Sequence, residues 1–303
     1  MILTIFGAGA SYGSFECKEG RCPPLGNKVF DDLVQLGGAF SRLPPELHPV
    51  FREIGFEAGM ALVADSNASI NPLQRELASF LVNFHITPNN TYYRFFREIR
   101  SIAGDLAVAT LNYDMLIEQA LIYSGIKFDY NASPGLVPLL KVHGSCNFLP
   151  EIPPMASSVV MHDVREFYRG FRTRIGANTN EILNWLKSPR NEHVSPVMAM
   201  YNREKRVVVN SDLINKIQEN FHARVAEAAH IFVVGVAYVP HDEHIWGALA
   251  KTCANVHVYD PYPSAIVEWA NSARRGDISI HEVGFTQSLS DLIGSIKTAC
   301  ASR

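Results

Sequence analysis

The chain has 303 residues, 47% hydrophobic and 19% charged, with a formal net charge of -3. This supports one large α/β domain, or a domain carrying inserted modules, and excludes nucleic-acid binding through a generally basic surface. No stretch is apolar for long enough to span a bilayer, and residues 1–6 lack the basic region and cleavage site of a signal peptide, so a cytoplasmic protein is expected.

Residues 1–6 form an apolar, β-branched run, as expected of a strand buried on both faces. Gly7-Ala8-Gly9-Ala10-Ser11 follows directly. A strand, a glycine turn and a helix N-terminus in succession make an anion site suited to a pyrophosphate. At Gly7 and Gly9 the absence of Cβ would let backbone N–H groups approach a ligand. The same residues also fit a plain βα turn of small residues chosen for packing.

A polar loop over 12–22 leads into a helix expected from Asn27 to the Gly37-Gly38 pair. That loop has the length of a segment lying over a ligand. Residues 43–104 read as a helical insertion packed beside the sheet, with helical spacing over 72–84 and 90–102. Within it, Tyr92, Tyr93, Phe95 and Phe96 read as core. A second buried strand over 106–111 runs into Asn112-Tyr113-Asp114, and a helix is expected over 115–123. A third strand over 137–142 ends at His143-Gly144-Ser145. Residues 150–206, rich in Pro, Asn and Arg, read as a second insertion with helical runs over 164–171 and 182–186.

Beyond Ser211, strand and helix alternate to the end of the sequence. Helices are expected over 211–229, 240–251, 264–274 and 288–298, and strands over 231–235, 256–259 and 278–281. Such alternation predicts a Rossmann-like, doubly wound parallel sheet, here as a single domain over 1–303. The cysteines are Cys17, Cys22, Cys146, Cys253 and Cys300. Their odd number and the absence of a Cys-x-x-Cys argue for free thiols and against a structural zinc site. His241, Asp242, Glu243 and His244 read as the charged start of a helix, not as a metal site, because no partner ligand is visible along the chain. His222 and His230 read as lying on a core-packed helix.

Ligands of open α/β sheets bind at the carboxyl ends of the strands. This chain puts polar groups there repeatedly: Ser11, then Asn112 and Asp114, then His143 and Ser145, then Asp260. Asn112 and Asp114 also suit the capping of the helix after them, and His143 also suits a hydrogen-bonded turn. Gly7 to Ser11, Thr110-Leu111-Asn112-Tyr113-Asp114 and Val142-His143-Gly144-Ser145, in that order, resemble the sirtuin family. Gly235 to Tyr238 and Pro240 to Trp246 resemble its bacterial sirtuin-like branch, which includes NAD-hydrolysing proteins of anti-phage defence. The resemblance covers roughly residues 1–40, 105–146 and 210–285.

The resemblance implies NAD as cosubstrate. Gly7, Ala8, Gly9 and Ser11 would hold the pyrophosphate and adjoining ribose, and Gly235 and Asp260 would contact the adenosine half. Thr110, Gly144 and Ser145 belong to the same implied binding set. Asn112 would hold a water near the nicotinamide ribose, Asp114 would grip the carboxamide, and His143 would be the general base. The sequence departs from the family where the zinc module is missing, where Leu111 replaces a Gln, and where residues 17–26 lack the deacylase loop. Those departures favour an NAD glycohydrolase over a protein deacylase or ADP-ribosyl transferase. A non-catalytic NAD or ADP-ribose sensing module is the alternative from another class. With no separate sensing domain in the chain, control is expected from a homo-oligomer or from a separately encoded protein, for example an ATPase or a nucleic-acid sensor.

Overall fold

A computed structural model describes residues 1–14, 22–65, 70–151, 172–199, 211–240 and 242–302. Its centre is strand β1 (Ile2–Phe6), every residue of which is buried. Strand β2 (Leu106–Thr110) pairs with one edge of β1 and strand β7 (His230–Val234) with the other, both in parallel. Outward from β2 lie β4 (Val137–Lys141) and the two-residue β3 (Phe128–Asp129); outward from β7 lie β8 (Asn255–Tyr259) and β9 (Ile278–His281). The order is β3-β4-β2-β1-β7-β8-β9, parallel throughout. The expected doubly wound sheet is therefore present. Chain progression reverses direction between β1 and β7, and that reversal opens the ligand crevice of this architecture.

Helix α5 (Thr91–Ile99) packs on α6 (Leu116–Tyr123) and on α11 (Phe285–Ala301), while α8 (Ser211–Glu227) packs on β4 and on α9 (Glu243–Lys251). Phe6 meets Tyr92 and Phe95 edge-on, with ring centroids 5.2 and 5.6 Å apart, and Phe285 closes the cluster. The expected core role of these aromatics holds: Tyr92, Phe95 and Phe96 are buried and Tyr93 is half-buried.

The first insertion is helical, with α3 (Phe56–Asp65) and α4 (Asn71–Leu81) ahead of α5 and no strand among its described residues. Its rings stack against α2 (Gly26–Gln35): Phe30 lies 4.5 Å from Phe51 at 15°. The second insertion holds α7 (Thr179–Lys187) and a small antiparallel pair, β5 (Phe148–Pro150) with β6 (Thr173–Ile175), which the sequence reading missed. The helix expected over 164–171 lies outside the described residues. Helix α10 (Ser264–Ala273) connects β8 to β9. Among the described residues no helix is long and apolar enough to cross a membrane.

The histidine reading needs correction. His222 is exposed on α8, and His230 is the first residue of β7, not part of a helix. His230 Nδ1 lies 3.3 Å from His257 Nε2 on the neighbouring strand β8, with the rings stacked. Burial holds the His257 pKa down to about 4, and the neighbouring His230 and His281 push the same way. A histidine whose folded pKa lies below its unfolded value of about 6.5 favours folding above that pH. The contribution is lost as the pH falls from about 6.5 towards 4. Urea unfolding across that range should show declining stability. His257→Gln should flatten the decline; an unchanged acid limb would remove His257 as its cause.

The two turns at the switch point interlock through their backbones. Gly7 N–H donates to Val234 O at 3.0 Å and Gly9 N–H to Gly235 O at 2.9 Å. Gly235 has φ +59°, and a Cβ there would lie 2.2 Å from Ala10 N. Gly235→Ala should therefore destabilise the protein by roughly 2–5 kcal/mol. Gly26 faces open space, so Gly26→Ala should shift the urea midpoint little or slightly upward.

Candidate active site at the switch point

The turn after β1 and the loop after β2 are tied into one polar knot. Thr110 Oγ1 donates to Phe6 O at 3.0 Å and accepts from Asn112 N at 3.1 Å, so the chain leaves β2 in a fixed direction. Asn112 Nδ2 then donates to Gly7 O and to Ser11 Oγ, each at 2.8 Å. Both amide hydrogens are thus taken, and the flip of the side chain is fixed by the Gly7 carbonyl. What remains is Oδ1, an acceptor, which no donor among the described residues reaches.

Ser11 is the hub of the knot. Its hydroxyl accepts from Asn112, donates to Asp114 Oδ2 at 2.8 Å, and lies 3.2 Å from Tyr92 OH. Asp114 Oδ1 accepts Leu116 N–H at 3.0 Å, at the first residue of α6. Ser11 and Asp114 are both buried. The structure brings Ser11, Asn112 and Asp114 together, and it turns Ser11 and Asp114 inward upon one another. Tyr92, which sequence reasoning placed in the core, also supplies a polar tip to this knot.

The glycines of the turn serve packing first. A Cβ on Gly7 would lie 2.4 Å from Gly235 O, and one on Gly9 3.0 Å from the same atom. The expectation that these residues lend their amides to a ligand does not match their bonding, since both amides are donated to the β7 side. Ala8, between them, is exposed.

His143 follows β4. The β2–β4 register pairs Thr110 with Lys141, so Asn112 and His143 leave the sheet at the same level, on strands about 4.8 Å apart. The backbone at His143 is pinned from outside the sheet. Ala199 N–H donates to His143 O at 2.7 Å and Ser145 N–H to Val197 O at 2.9 Å. Gly144 has φ +85°, and a Cβ there would fall 2.1 Å from Val197 O, so only glycine fits this crossing. Ser145 Oγ donates to Tyr113 O at 3.3 Å.

The buried imidazole of His143 meets residues of the second half of the sheet. Its Nε2 lies 3.1 Å from His244 Nε2 and 3.7 Å from Asp242 Oδ1. Asp242 occupies the N-cap position of α9 without a side-chain capping bond, and His244 sits in its first turn. The contact therefore joins the strand-end residues of the sheet's first half to those of its second. In the sequence these residues looked like a helix start without a ligand partner. They contact His143, in the turn after a strand of the other half.

Asp260 follows β8, apart from the knot. Its Oδ1 accepts Tyr262 N–H at 2.8 Å, and partial burial raises its pKa above the ordinary carboxylate value. Cys146, next to the His143 turn, is fully buried, and burial pushes its thiol pKa far up, so it is not a nucleophile at neutral pH. Cys146, Cys253 and Cys300 are free thiols, while Cys17 lies outside the described residues.

No protein-family model matches the chain, and no curated protein sequence matches it. Among solved structures it is similar to a mutant Sir2 homologue in complex with ADP-ribose, at 14% identity and a TM-score of 0.46, over 100% of this chain and 94% of that one. It is also similar to a Sir2 homologue–NAD complex, at 15% identity and a TM-score of 0.46, over 98% and 90% of the two chains. A third similar structure is a Sir2–p53 peptide–NAD+ complex, at 12% identity and a TM-score of 0.47, over 98% and 94%.

Proposed function

We propose that the chain is an NAD glycohydrolase that releases nicotinamide and ADP-ribose, acting in bacterial anti-phage defence. The observation that carries the reading is the clamped Asn112 amide, with one acceptor oxygen left over, on a chain that leaves β2 at the level where the His143 segment leaves the adjacent β4. The motif resemblance supports NAD as the ligand.

Cleavage of the nicotinamide–ribose bond builds positive charge on the ribose carbon, an oxocarbenium-like state. The bonding electrons leave with nicotinamide and neutralise its ring. Water supplies the new C–O bond. Asn112 Oδ1 accepts one water hydrogen and so orients the oxygen; an amide cannot take the proton away. His143 takes a proton from that water, since an imidazole nitrogen, unlike an amide oxygen, can accept one. Ser11 and Asp114 act as positioning residues: Ser11 fixes Asn112, and Asp114 fixes Ser11. In this reading the pyrophosphate lies over the Gly7–Gly9 turn beside the exposed Ala8, and the adenosine half lies towards Gly235 and Asp260.

Purified protein incubated with NAD should yield nicotinamide and ADP-ribose without an acylated peptide. Nicotinamide release only when such a peptide is present would instead identify a deacylase. His143→Ala and Asn112→Ala should each lower turnover by roughly 10²- to 10⁴-fold, about 3–5 kcal/mol of barrier, with a much smaller change in NAD affinity. The double variant should fall far short of additivity, because both groups serve one step. A folded His143→Ala protein with wild-type turnover would remove His143 from the base role.

A further inference from the structure

We propose that His143, Asp242 and His244 form a binding site for a divalent transition-metal ion of the zinc class, and that an ion held there blocks the base. The second clause rests on the glycohydrolase reading; the first does not. One ligand atom from each residue, two imidazole nitrogens and a carboxylate oxygen, lies within 4.8 Å of the other two. A zinc ion with bonds of about 2.0–2.1 Å in tetrahedral geometry separates its donor atoms by about 3.3 Å. The observed 3.1 Å between the two Nε2 atoms and 3.7 Å from His143 Nε2 to Asp242 Oδ1 bracket that edge.

The donor chemistry selects the ion. Two imidazoles with one carboxylate suit Zn²⁺, Fe²⁺ and their neighbours, whereas Mg²⁺ and Ca²⁺ prefer oxygen alone. His143 and Asp242 are buried and His244 is half-buried, so the donors are shielded from bulk solvent. The three come from two rigid supports, the pinned turn after β4 and the first turn of α9, and ligand binding requires little reordering. The two imidazoles present Nε2 to each other, so no more than one of these two nitrogens carries a proton while the contact stands. A cation is the other way to occupy that position. His143 Nε2 bound to a metal has no lone pair left to accept a proton, so ion occupancy and base catalysis by that nitrogen exclude one another.

The test begins with Co²⁺ titrated into chelator-treated, full-length protein without NAD, followed by its visible absorption and by calorimetry. About one ion per chain is expected, displaced by Zn²⁺. His244→Ala and Asp242→Ala should each weaken binding by at least about 10-fold, and His244→Gln provides the same readout if the alanine variant does not fold. Glu243→Gln, an exposed neighbour outside the cluster, should bind as wild type. Absence of stoichiometric binding, or binding undiminished in folded His244→Ala and His244→Gln, overturns the site. In a separate assay, Zn²⁺ at one equivalent should suppress nicotinamide release, and chelator should restore it. Stoichiometric binding with undiminished release overturns the blocking role. A protein that binds the ion and never cleaves NAD refutes the glycohydrolase reading while leaving the metal site standing.

Discussion

The crossing of two backbones at the switch point is the constraint from which the candidate site follows. The turn after β1 and the turn after β7 approach so closely that neither Gly7 nor Gly235 could carry a Cβ. Two N–H donors of the first turn are satisfied by carbonyls of the second segment, so the turn has one conformation. That conformation aims the Gly7 carbonyl at Asn112 and sets Ser11 where it meets Asn112, Asp114 and Tyr92. Small residues at this place thus act on chemistry indirectly. They fix the acceptor that fixes the amide.

A second buried polar layer lies beneath the knot. Lys141, at the end of β4, is fully buried and pairs with Glu118 Oε1 at 3.0 Å. Its ammonium also donates to the main-chain oxygen of Asp114, and Tyr130 OH donates to the same Glu118 oxygen at 3.2 Å. Burying an ion pair gains little net stability against an apolar pair of the same shape. Its effect here is positional: the ammonium ties the Asp114 backbone to the strand that carries His143. The loop after β2 is therefore held at its turn by Ser11 and from below by Lys141. Under the proposed reaction, fixed dipoles of this kind would need no rearrangement as charge develops on the ribose.

Most of the sheet was legible because parallel strands buried on both faces read as continuous apolar runs, as 106–111 and 231–235 do. β3 was not, being two residues long, and β5 and β6 are three-residue strands in an irregular insertion. The candidate residues were legible as strand-end polar groups, but their bonding was not. Whether Ser11 faces a crevice or Asp114 depends on a partner about a hundred positions away, which no local pattern encodes. The contact of His244 and Asp242 with His143 was hidden for the same reason: helix-start chemistry explains acidic residues locally, and that histidine follows a strand about a hundred positions earlier.

The two halves of the candidate site are held by different parts of the molecule. Asn112 is fixed by the central sheet, whose strands are entirely buried around it. His143 is fixed by residues 197–199 of the second insertion. Those residues are in turn gripped by helix α4 of the first insertion: Gln74 Nε2 donates to Met198 O at 2.9 Å, and Ser195 Oγ donates to Gln74 Oε1 at 2.6 Å. Arg75 Nη1 adds bonds to Asn191 O and Val194 O at 2.6 and 2.7 Å. The insertions thus pack on each other through a buried bond network around Gln74 and a part-buried one around Arg75. A shift of residues 197–199 would act directly on the His143 backbone and reach Asn112 only through its neighbour Tyr113, whose hydroxyl donates to Ala199 O at 3.0 Å. Under the proposed function, a partner that binds the insertions would therefore act on the base more directly than on the amide, which is a physical route to switching such a site while the fold stays intact.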